Sequence, residues 1–316
     1  MSLRIKFGSC LILIGIFMGL FVLIIFILCA FYVQNRGVIQ HKKLVRKISD
    51  HSNLFGPINC LFYCFSTIKK SVYIDVDNFP ELKVLEDNWK VIRDEAIALN
   101  NDTHIKSSEE KDDLGFNSFF KTGWKRFYLK WYGASLHSAN KLCPKTVDLI
   151  NSISSIKGAM FAMLPPGARL VKHRDPYAGS FRYHLGLTTP NSEKCFISVD
   201  GKKYYWKDGE AVMFDETFIH FAENKTNTNR IVLFLDIKRP TKFFIVDWIN
   251  EIFSRIVLAA TTTKNMDGDK IGGINRLFPH IFKVRLIGKK IKKLNKILYY
   301  ILQYSIYLLL IYAVFF

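Results

Sequence analysis

The sequence predicts a mainly β protein, a small β-sandwich or jelly roll with flanking helices and an apolar segment at each end of the chain. Three observations lead to this fold class. Six or seven short strands separated by turn signals follow one another between residues 157 and 236. Two Asp-Gly turns, Asp200-Gly201 and Asp208-Gly209, bracket an aromatic strand and predict a meander. A length of 316 residues with 49% apolar residues suffices for one sizeable domain with appendages.

The composition excludes a disordered, low-complexity or collagen-like chain, because 23% of the residues are charged and there are only 9 prolines and 18 glycines. The net charge of +18, from 45 Lys and Arg against 27 Asp and Glu, predicts attraction to a polyanion. Nucleic acid, anionic lipid and a phosphorylated substrate all meet that condition. Because the basic residues crowd beside the apolar ends, we favour lipid and expect no nucleic-acid partner.

The first apolar segment, 7–35, predicts a transmembrane helix that is retained in the protein. It has no charged residue over 29 positions, and a helix needs about 20 apolar residues to cross the hydrocarbon core. A cleaved signal peptide is the alternative, but its apolar region is only about 7–15 residues long. We therefore assign residues 1–36 to an N-terminal transmembrane anchor.

The last 20 residues, 297–316, also lack charge, and five lysines precede them. We assign 289–316 to a basic collar and a C-terminal membrane segment, either a tail anchor or an interfacial helix; a packed core helix is the alternative.

Basic residues follow the first segment from Arg36 onward and precede the second. By the positive-inside rule, the chain between the two segments should face the cytosol, with an anionic membrane surface as its partner.

Between the apolar ends we distinguish three regions. Residues 37–120 form a basic and helical membrane-proximal region, in which 77–100 has helical spacing and 101–114 is a polar loop. Residues 121–240 carry the strands, and 241–288 form an amphipathic or helical extension that packs on the sandwich or lies on the bilayer surface. Within 121–240 the predicted strands are 124–133, 181–188, 195–199, 202–207, 211–214 and 230–236, with an apolar run at 158–163 and a helix at 143–156.

Two histidines and an aspartate in the β-rich region predict a metal site. His173 and Asp175 point the same way if they lie on a strand or its end, because residues two apart share a face. We expect His220 to reach them from a facing strand of the sandwich. Two imidazoles and one carboxylate form the facial triad of non-haem Fe(II) oxygenases, which leaves the opposite face of the metal open. A surface hydrogen bond or a turn is the alternative interpretation of the His-x-Asp pair.

Arg230 is the third feature of this candidate site. It lies ten residues after His220 and opens the strand 230–236. A buried arginine requires an anionic partner, because an unpaired buried charge is strongly destabilising. A dicarboxylate co-substrate would supply that partner through a bidentate pair. An ion pair with Asp236 or Glu223 is the structural alternative.

From residue 161 to 240 the sequence resembles the aspartyl/asparaginyl β-hydroxylase family of Fe(II)- and 2-oxoglutarate-dependent oxygenases. The residues that carry the resemblance are Pro166-Gly167, His173-Arg174-Asp175, Arg182 to Leu187, Phe214 to His220, and Arg230. The resemblance implies a double-stranded β-helix (jelly roll, cupin-like) core. It also implies that His173, Asp175 and His220 bind the catalytic iron, and that O₂ is consumed. Arg230 is then expected to bind the far carboxylate of 2-oxoglutarate, with Arg182 and His184 facing the same co-substrate.

Two positions separate this chain from the animal, protein-hydroxylating branch of the family. That branch lacks an acidic residue at the position of Asp175 and has a serine at the position of Ala162. The chain is more similar to the bacterial branch, and there to the lipid A 2-hydroxylases, which also combine membrane segments with a basic cytosolic domain. The resemblance thus implies hydroxylation of a lipid A acyl chain at its 2-position, at the inner (plasma) membrane of a bacterium, by a cytoplasmic catalytic domain.

Other interpretations stay open. An ornithine lipid, or the side chain of Asp or Asn in a protein, is the alternative substrate for the same chemistry. A non-enzymatic membrane protein with a cupin-like binding module is the third interpretation.

Overall fold

The computed structural model describes residues 2–107 and 113–315. The strands are β1 Tyr73–Ile74, β2 Lys125–Trp131, β3 Ala134–Ser135, β4 Ile156–Leu164, β5 Arg169–His173, β6 Ser180–Thr188, β7 Cys195–Val199, β8 Lys202–Tyr205, β9 Ala211–Phe214, β10 His220–Asn224 and β11 Arg230–Lys238. The helices are α1 Ser2–Gln34, α2 Leu44–Ile48, α3 Gly56–Phe65, α4 Lys83–Asp87, α5 Trp89–Asn101, α6 Asn117–Phe120, α7 His137–Leu142, α8 Pro144–Asn151, α9 Phe244–Phe253, α10 Gly273–Leu294 and α11 Lys296–Phe315.

Strands β4 to β11 form a jelly roll of two four-stranded antiparallel sheets. One of them has the order β9-β6-β11-β4 and is the central part of a larger, seven-stranded sheet, and the other, with the order β5-β10-β7-β8, is the whole of the smaller sheet. The chain changes sheet at every connection except the one between β7 and β8. Strand β1 extends the larger sheet beyond β9, and β2 and β3 extend it beyond β4. This alternation is the double-stranded β-helix that the resemblance implies, and the predicted fold class of the core is confirmed.

The two Asp-Gly turns have different roles. Asp200 and Gly201 have φ angles of 47° and 89°, which is the type I′ geometry of the two-residue hairpin between β7 and β8. The second turn does not form a hairpin, because the N–H of Gly209 donates to the carbonyl of Gly186 at 2.9 Å. That bond directs the chain to β9 in the other sheet, so the predicted meander is wrong at its second turn.

Strand β6 shows how the sandwich positions a site between its sheets. Helix α5 packs on the outer face of β6, and the ring of Phe181 on that face contacts Phe79. Because side chains alternate along a strand, Arg182 and His184 point to the opposite face, between the two sheets. Strand β11 pairs with β6 so that Asp236 lies directly opposite Arg182. Charged side chains therefore meet in the interior.

The structure contains most of the predicted helices and strands, with shifted ends. The helix 77–100 divides at Asn88 into α4 and α5, and the helix 143–156 shortens to α8. Strands β5 and β10, which carry the two histidines, were absent from the prediction because their sequences mix polar and apolar residues without regular alternation. The predicted loop 101–114 includes 108–112, which lie outside the described residues.

Both apolar ends are helical. In the described part of the chain, Gly15–Gln34 of α1 is the one helix long and apolar enough to cross a membrane. The C-terminal helix α11 falls among the shorter apolar helices, over Lys296–Leu310. Helix α1 packs against α3 and contacts α11.

Buried polar contacts hold the end of α1. Arg36, which we expected among the membrane-flanking cations, is buried, and its Nη2 lies 2.7 Å from Oδ2 of Asp215. Arg174 is also buried, and its Nη1 donates to the carbonyl of Val33 at 2.5 Å. The end of α1 is therefore joined to two segments, 173–175 and 215–220, that carry the predicted metal ligands.

Candidate active site

The structure brings the three predicted metal ligands together. His173 is the last residue of β5 and His220 is the first of β10, and their Cα atoms are partners in the ladder between these strands. The ring centroids are 4.2 Å apart. One donor atom from each histidine and from Asp175 lie within 4.8 Å of one another. The expectation of a facing strand is wrong: β5 and β10 are neighbours in one sheet, where directly opposite side chains are already close.

Backbone contacts orient both imidazoles. Nδ1 of His173 donates to the carbonyl of Val171 at 2.7 Å, and Nδ1 of His220 donates to the carbonyl of Phe218 at 2.9 Å. In each ring Nε2 is then the nitrogen with a free lone pair, as in many metal-binding histidines. Burial, and next the neighbouring His173, lowers the pKa of His220 to about 3. Burial also lowers the pKa of His173, so both rings are in the neutral form that binds metals.

The two carboxylate oxygens of Asp175 have different surroundings. Its Oδ1 lies 3.6 Å from Nε2 of His173, whereas Oδ2 accepts a hydrogen bond from Nη2 of Arg182 at 2.8 Å. The backbone N–H of Asp175 donates to the carbonyl of Glu216 at 2.9 Å. Although burial opposes ionisation, the Arg182 guanidinium keeps the pKa of Asp175 below its ordinary value. Oδ1 is thus the oxygen left for a metal.

Arg182 has protein carboxylates as its partners. In addition to Asp175 it pairs with Asp236 at 2.8 Å and with Glu216 at 2.5 Å, and it lies 3.7 Å above the ring of Phe234. Arg182 lines the central cavity, as expected for a residue that faces a co-substrate. Its guanidinium, however, already has buried acids of the protein as partners. Arg182 therefore orients Asp175, and its expected contact with the co-substrate stays a prediction.

Arg230 differs from Arg182 in this respect. It is 2% exposed, its Nη1 donates weakly to the carbonyl of Ala162 at 3.3 Å, and its Nε has no hydrogen-bond partner among the described residues. Burial lowers the pKa of Arg230 to about 10. The structural alternative fails, because Asp236 pairs with Arg182 and Glu223 pairs with Lys225 at 2.6 Å. Arg230 is a buried cation without a carboxylate partner in the described part of the chain.

A small cavity joins these groups between the two sheets. Its polar wall comprises His173, Asp175, His220, Arg182, His184 and Arg230. Its apolar wall includes Leu170, Ile197, Phe214 and Phe234. Apolar walls with a few convergent polar groups are typical of a small-molecule site.

His184 and Trp206 also line this cavity with unused polar atoms. Both ring nitrogens of His184 and Nε1 of Trp206 are buried without a hydrogen-bond partner among the described residues. Burial, and next the Arg230 charge, lowers the pKa of His184 well below its usual value. Trp206, whose ring lies 4.3 Å from the Arg230 guanidinium, was not among the predicted site residues. Buried polar atoms are normally paired, so these point to a ligand.

The chain matches a known protein family over about half of its length. Residues 86–240 match the family model described as Aspartyl/Asparaginyl beta-hydroxylase. This match confirms the family resemblance predicted from the sequence, whereas the likeness to lipid A 2-hydroxylases in particular stays a prediction.

Two curated relatives and one solved structure are similar to parts of the chain. The ornithine lipid ester-linked acyl 2-hydroxylase of Rhizobium tropici is 39% identical over 122 residues, which are 38% of this chain and 43% of that protein. The human aspartyl/asparaginyl beta-hydroxylase is 29% identical over 164 residues, 50% of this chain and 21% of that protein. The aligned part thus spans less than half the length of either relative. A Pseudomonas putida prolyl-4-hydroxylase aligns with 49% of this chain and 88% of its own, at 16% identity and a TM-score of 0.32.

Proposed function

Because residues 86–240 form a domain of the aspartyl/asparaginyl β-hydroxylase family, we propose that this protein is an Fe(II)- and 2-oxoglutarate-dependent hydroxylase of a membrane lipid. The observation that carries the proposal is the shared cavity. Three metal-binding side chains and a buried arginine without a carboxylate partner line the same space.

The donor set fits ferrous iron. Two neutral imidazoles present Nε2, and Asp175 presents one oxygen, while their other polar atoms are bonded to the protein. Such outer contacts fix the ligand direction and typically change metal affinity about 10- to 100-fold. His173, Asp175 and His220 would hold the metal and leave its remaining positions to the co-substrate and O₂.

The opposite part of the cavity fits a carboxylate. Arg230 offers a guanidinium that lacks an anion, and bidentate arginine–carboxylate pairs are among the strongest hydrogen-bonded contacts. The unpaired nitrogens of His184 and Trp206 lie near the same charge and can bind further oxygens. The co-substrate 2-oxoglutarate would place its far carboxylate on Arg230.

The chemistry that bound iron and 2-oxoglutarate supply is the insertion of one oxygen atom from O₂ into a C–H bond. The protein's own residues prepare the site for it. The carbonyls of Val171 and Phe218 hold the imidazoles in place, and Arg182 holds the carboxylate of Asp175. The apolar side chains of the cavity, among them Phe214 and Phe234, exclude water from the reacting centre.

For the substrate we propose an acyl chain of lipid A, hydroxylated at its 2-position. Lipid A carries phosphates, which suit a chain with a net charge of +18. An ornithine lipid is the second candidate, because the relative from Rhizobium tropici is named for that substrate. The side chain of a protein Asp or Asn is the third, from the name of the human relative.

We further propose that α1 anchors the enzyme in the inner membrane of a bacterium, with the jelly roll in the cytoplasm. A lipid with several acyl chains does not leave the bilayer, so its hydroxylase must work at the membrane. The apolar stretch Gly15–Gln34 supports this, and so do the basic residues beside both apolar ends.

Mass spectrometry of lipid extracts tests the function. We expect extracts from cells that express the protein to contain a lipid with one additional oxygen, located next to the acyl carbonyl. His173→Ala should abolish that product, and His137→Ala, at an exposed histidine outside the cavity, should retain it. If the His173→Ala variant forms the hydroxylated lipid equally well, the proposed iron site is wrong. If the wild-type protein binds the lipid but forms no hydroxylated product, the non-enzymatic cupin-like module is favoured.

A further inference from the structure

Helix α9 has its apolar side on the outside. Phe244 is 83% exposed, and Ile245, Trp248 and Ile252 are exposed on the same side of the helix. The exposed row continues to Ile256 in the π-helical turn Ser254–Leu258 that follows. Soluble proteins rarely expose a contiguous row of large apolar side chains, and such a row marks an interaction surface. We call these five residues the outer face of α9.

The inner side of α9 is held by polar contacts. Asn250 and Ser254 are buried there together with Val246. Nδ2 of Asn250 donates to the carbonyl of Gly179 at 2.9 Å, and the hydroxyl of Tyr177 donates to its side-chain oxygen. The orientation of α9 is thus fixed by hydrogen bonds to the segment 177–179, and the outer face cannot turn inward without breaking them.

Helix α3 links α9 to the apolar helix α1. Helix α3 contacts both α1 and α9, and Phe253 of α9 makes an edge contact with Phe55 just before α3. Asn59 of α3 binds the carbonyl of Pro176 and the N–H of Ala178, which neighbour the contacts of Asn250. Helices α1, α3 and α9 therefore form one layer beside the segment that follows Asp175.

The charges around the outer face suit an anionic surface. Lys242 is exposed two residues before α9, where its N–H bonds to the carbonyl of Phe65, and Lys69 and Lys70, which follow Phe65 closely in the chain, are exposed as well. The two acids of α9 are neutralised from the protein side, Asp247 by Lys238 at 2.7 Å and Glu251 by Lys157 at 3.0 Å. Helix α10, which packs on the turn 259–261, contains seven Lys or Arg and no acid.

We propose that the outer face of α9 inserts into the headgroup–acyl boundary of an anionic bilayer, as an in-plane helix beside the anchor α1. An apolar face bordered by cations is the composition of interfacial helices, and an exposed tryptophan suits that depth. If the proposed function is correct, this contact fixes the segment with Asp175 at the membrane surface, so the enzyme takes a substrate carbon that lies just below the headgroups.

Fluorescence quenching by brominated lipids tests the contact without any turnover. The full chain is placed in phosphatidylcholine–phosphatidylglycerol nanodiscs that contain lipid brominated near the carbonyl end of its acyl chains. Trp124, Trp131 and Trp206 are buried, so most of the quenching should come from Trp248. Trp248→Phe should abolish most of it. The matched control is Trp89→Phe on α5, which should leave the quenching as in the wild type.

Two results overturn the proposal. One is equal quenching in wild type and Trp248→Phe. The other is a cross-linked dimer with Trp248 shielded from lipid, which would mean that a second copy covers this face. The experiment needs neither iron nor 2-oxoglutarate, so it gives the same answer in the His173→Ala variant even if the proposed hydroxylation fails.

Discussion

The guanidinium of Arg182 binds one carboxylate oxygen of Asp175 at 2.8 Å and leaves the other facing His173. Within the same cavity Arg230 binds no described carboxylate. The two interior arginines thus have separate roles: one orients a candidate metal ligand, and the other remains available for an anion. Four predictions follow from this division and from the buried charges around it.

Arg182→Lys should lower the affinity for Co(II), a visible substitute for Fe(II), by about 10- to 100-fold. Lysine keeps the positive charge but cannot donate in the directions of three carboxylates at once. A Co(II) titration followed by visible absorption measures the effect. Arg93→Lys, in an exposed pair with Asp94 at 2.9 Å, is the matched control. Equal affinities in the two variants would contradict the role assigned to Arg182.

Arg230→Met should raise the KM for 2-oxoglutarate about 10- to 100-fold, because a hydrogen bond to a charged group contributes about 1.5–3 kcal/mol. The same change should leave the stability of the ligand-free protein unchanged or raise it, since it removes a buried cation that lacks a carboxylate partner. Initial rates at varied 2-oxoglutarate concentrations measure the KM, and thermal unfolding with and without 2-oxoglutarate measures the stability. The co-substrate should stabilise the wild type and not the variant.

The matched control for that change is Arg126→Met. Arg126 is equally buried, but its Nε lies 3.0 Å from Oδ2 of Asp113. Removing it leaves a buried carboxylate unpaired, which typically lowers the free energy of unfolding by about 3–5 kcal/mol. If Arg230→Met is destabilising to the same extent, Arg230 has a protein partner and its role in co-substrate binding is wrong.

His184 should make the ligand-free protein less stable in mild acid. Burial lowers its pKa far below the usual value, so below about pH 6.5 the unfolded chain binds a proton that the folded chain does not. The stability contributed by the neutral ring is complete above that pH and is lost as the pH falls. Between pH 6.5 and about 5.5, the wild type should lose up to about 1.4 kcal/mol more than His184→Gln. Denaturation of both proteins in detergent at the two pH values measures this difference in stability. Equal losses of stability in the wild type and His184→Gln would show that the His184 ring is protonated in the folded protein.

Asp215→Asn should be strongly destabilising. The carboxylate of Asp215 pairs with Arg36 at 2.7 Å and with Arg239 at 2.9 Å, and all three side chains are buried. The change leaves two buried cations without their anion, which should lower the free energy of unfolding by about 3–5 kcal/mol. Asp94→Asn, in an exposed pair, should change it by less than about 1 kcal/mol. Similar melting temperatures for the two variants would contradict the importance of these ion pairs at the end of α1.

Much of this protein is determined by local sequence pattern. Alternating apolar runs and turn residues identified β2, β6, β7, β9 and β11, because a strand of period two is a property of neighbouring residues. The charge-free segment 7–35 identified α1 for a similar reason. The residue types and order of His173, Asp175, His220 and Arg230 were enough to name the candidate site.

Tertiary structure alone decided how these parts meet. The pairing of β5 with β10, and the turn at Gly209 toward the other sheet, depend on strands that are distant along the chain. The partners of Arg182 lie 7, 34 and 54 residues away, as the numbers of Asp175, Glu216 and Asp236 show. Pattern cannot assign such partners, because the free energy of a buried charge depends on which groups the fold places around it.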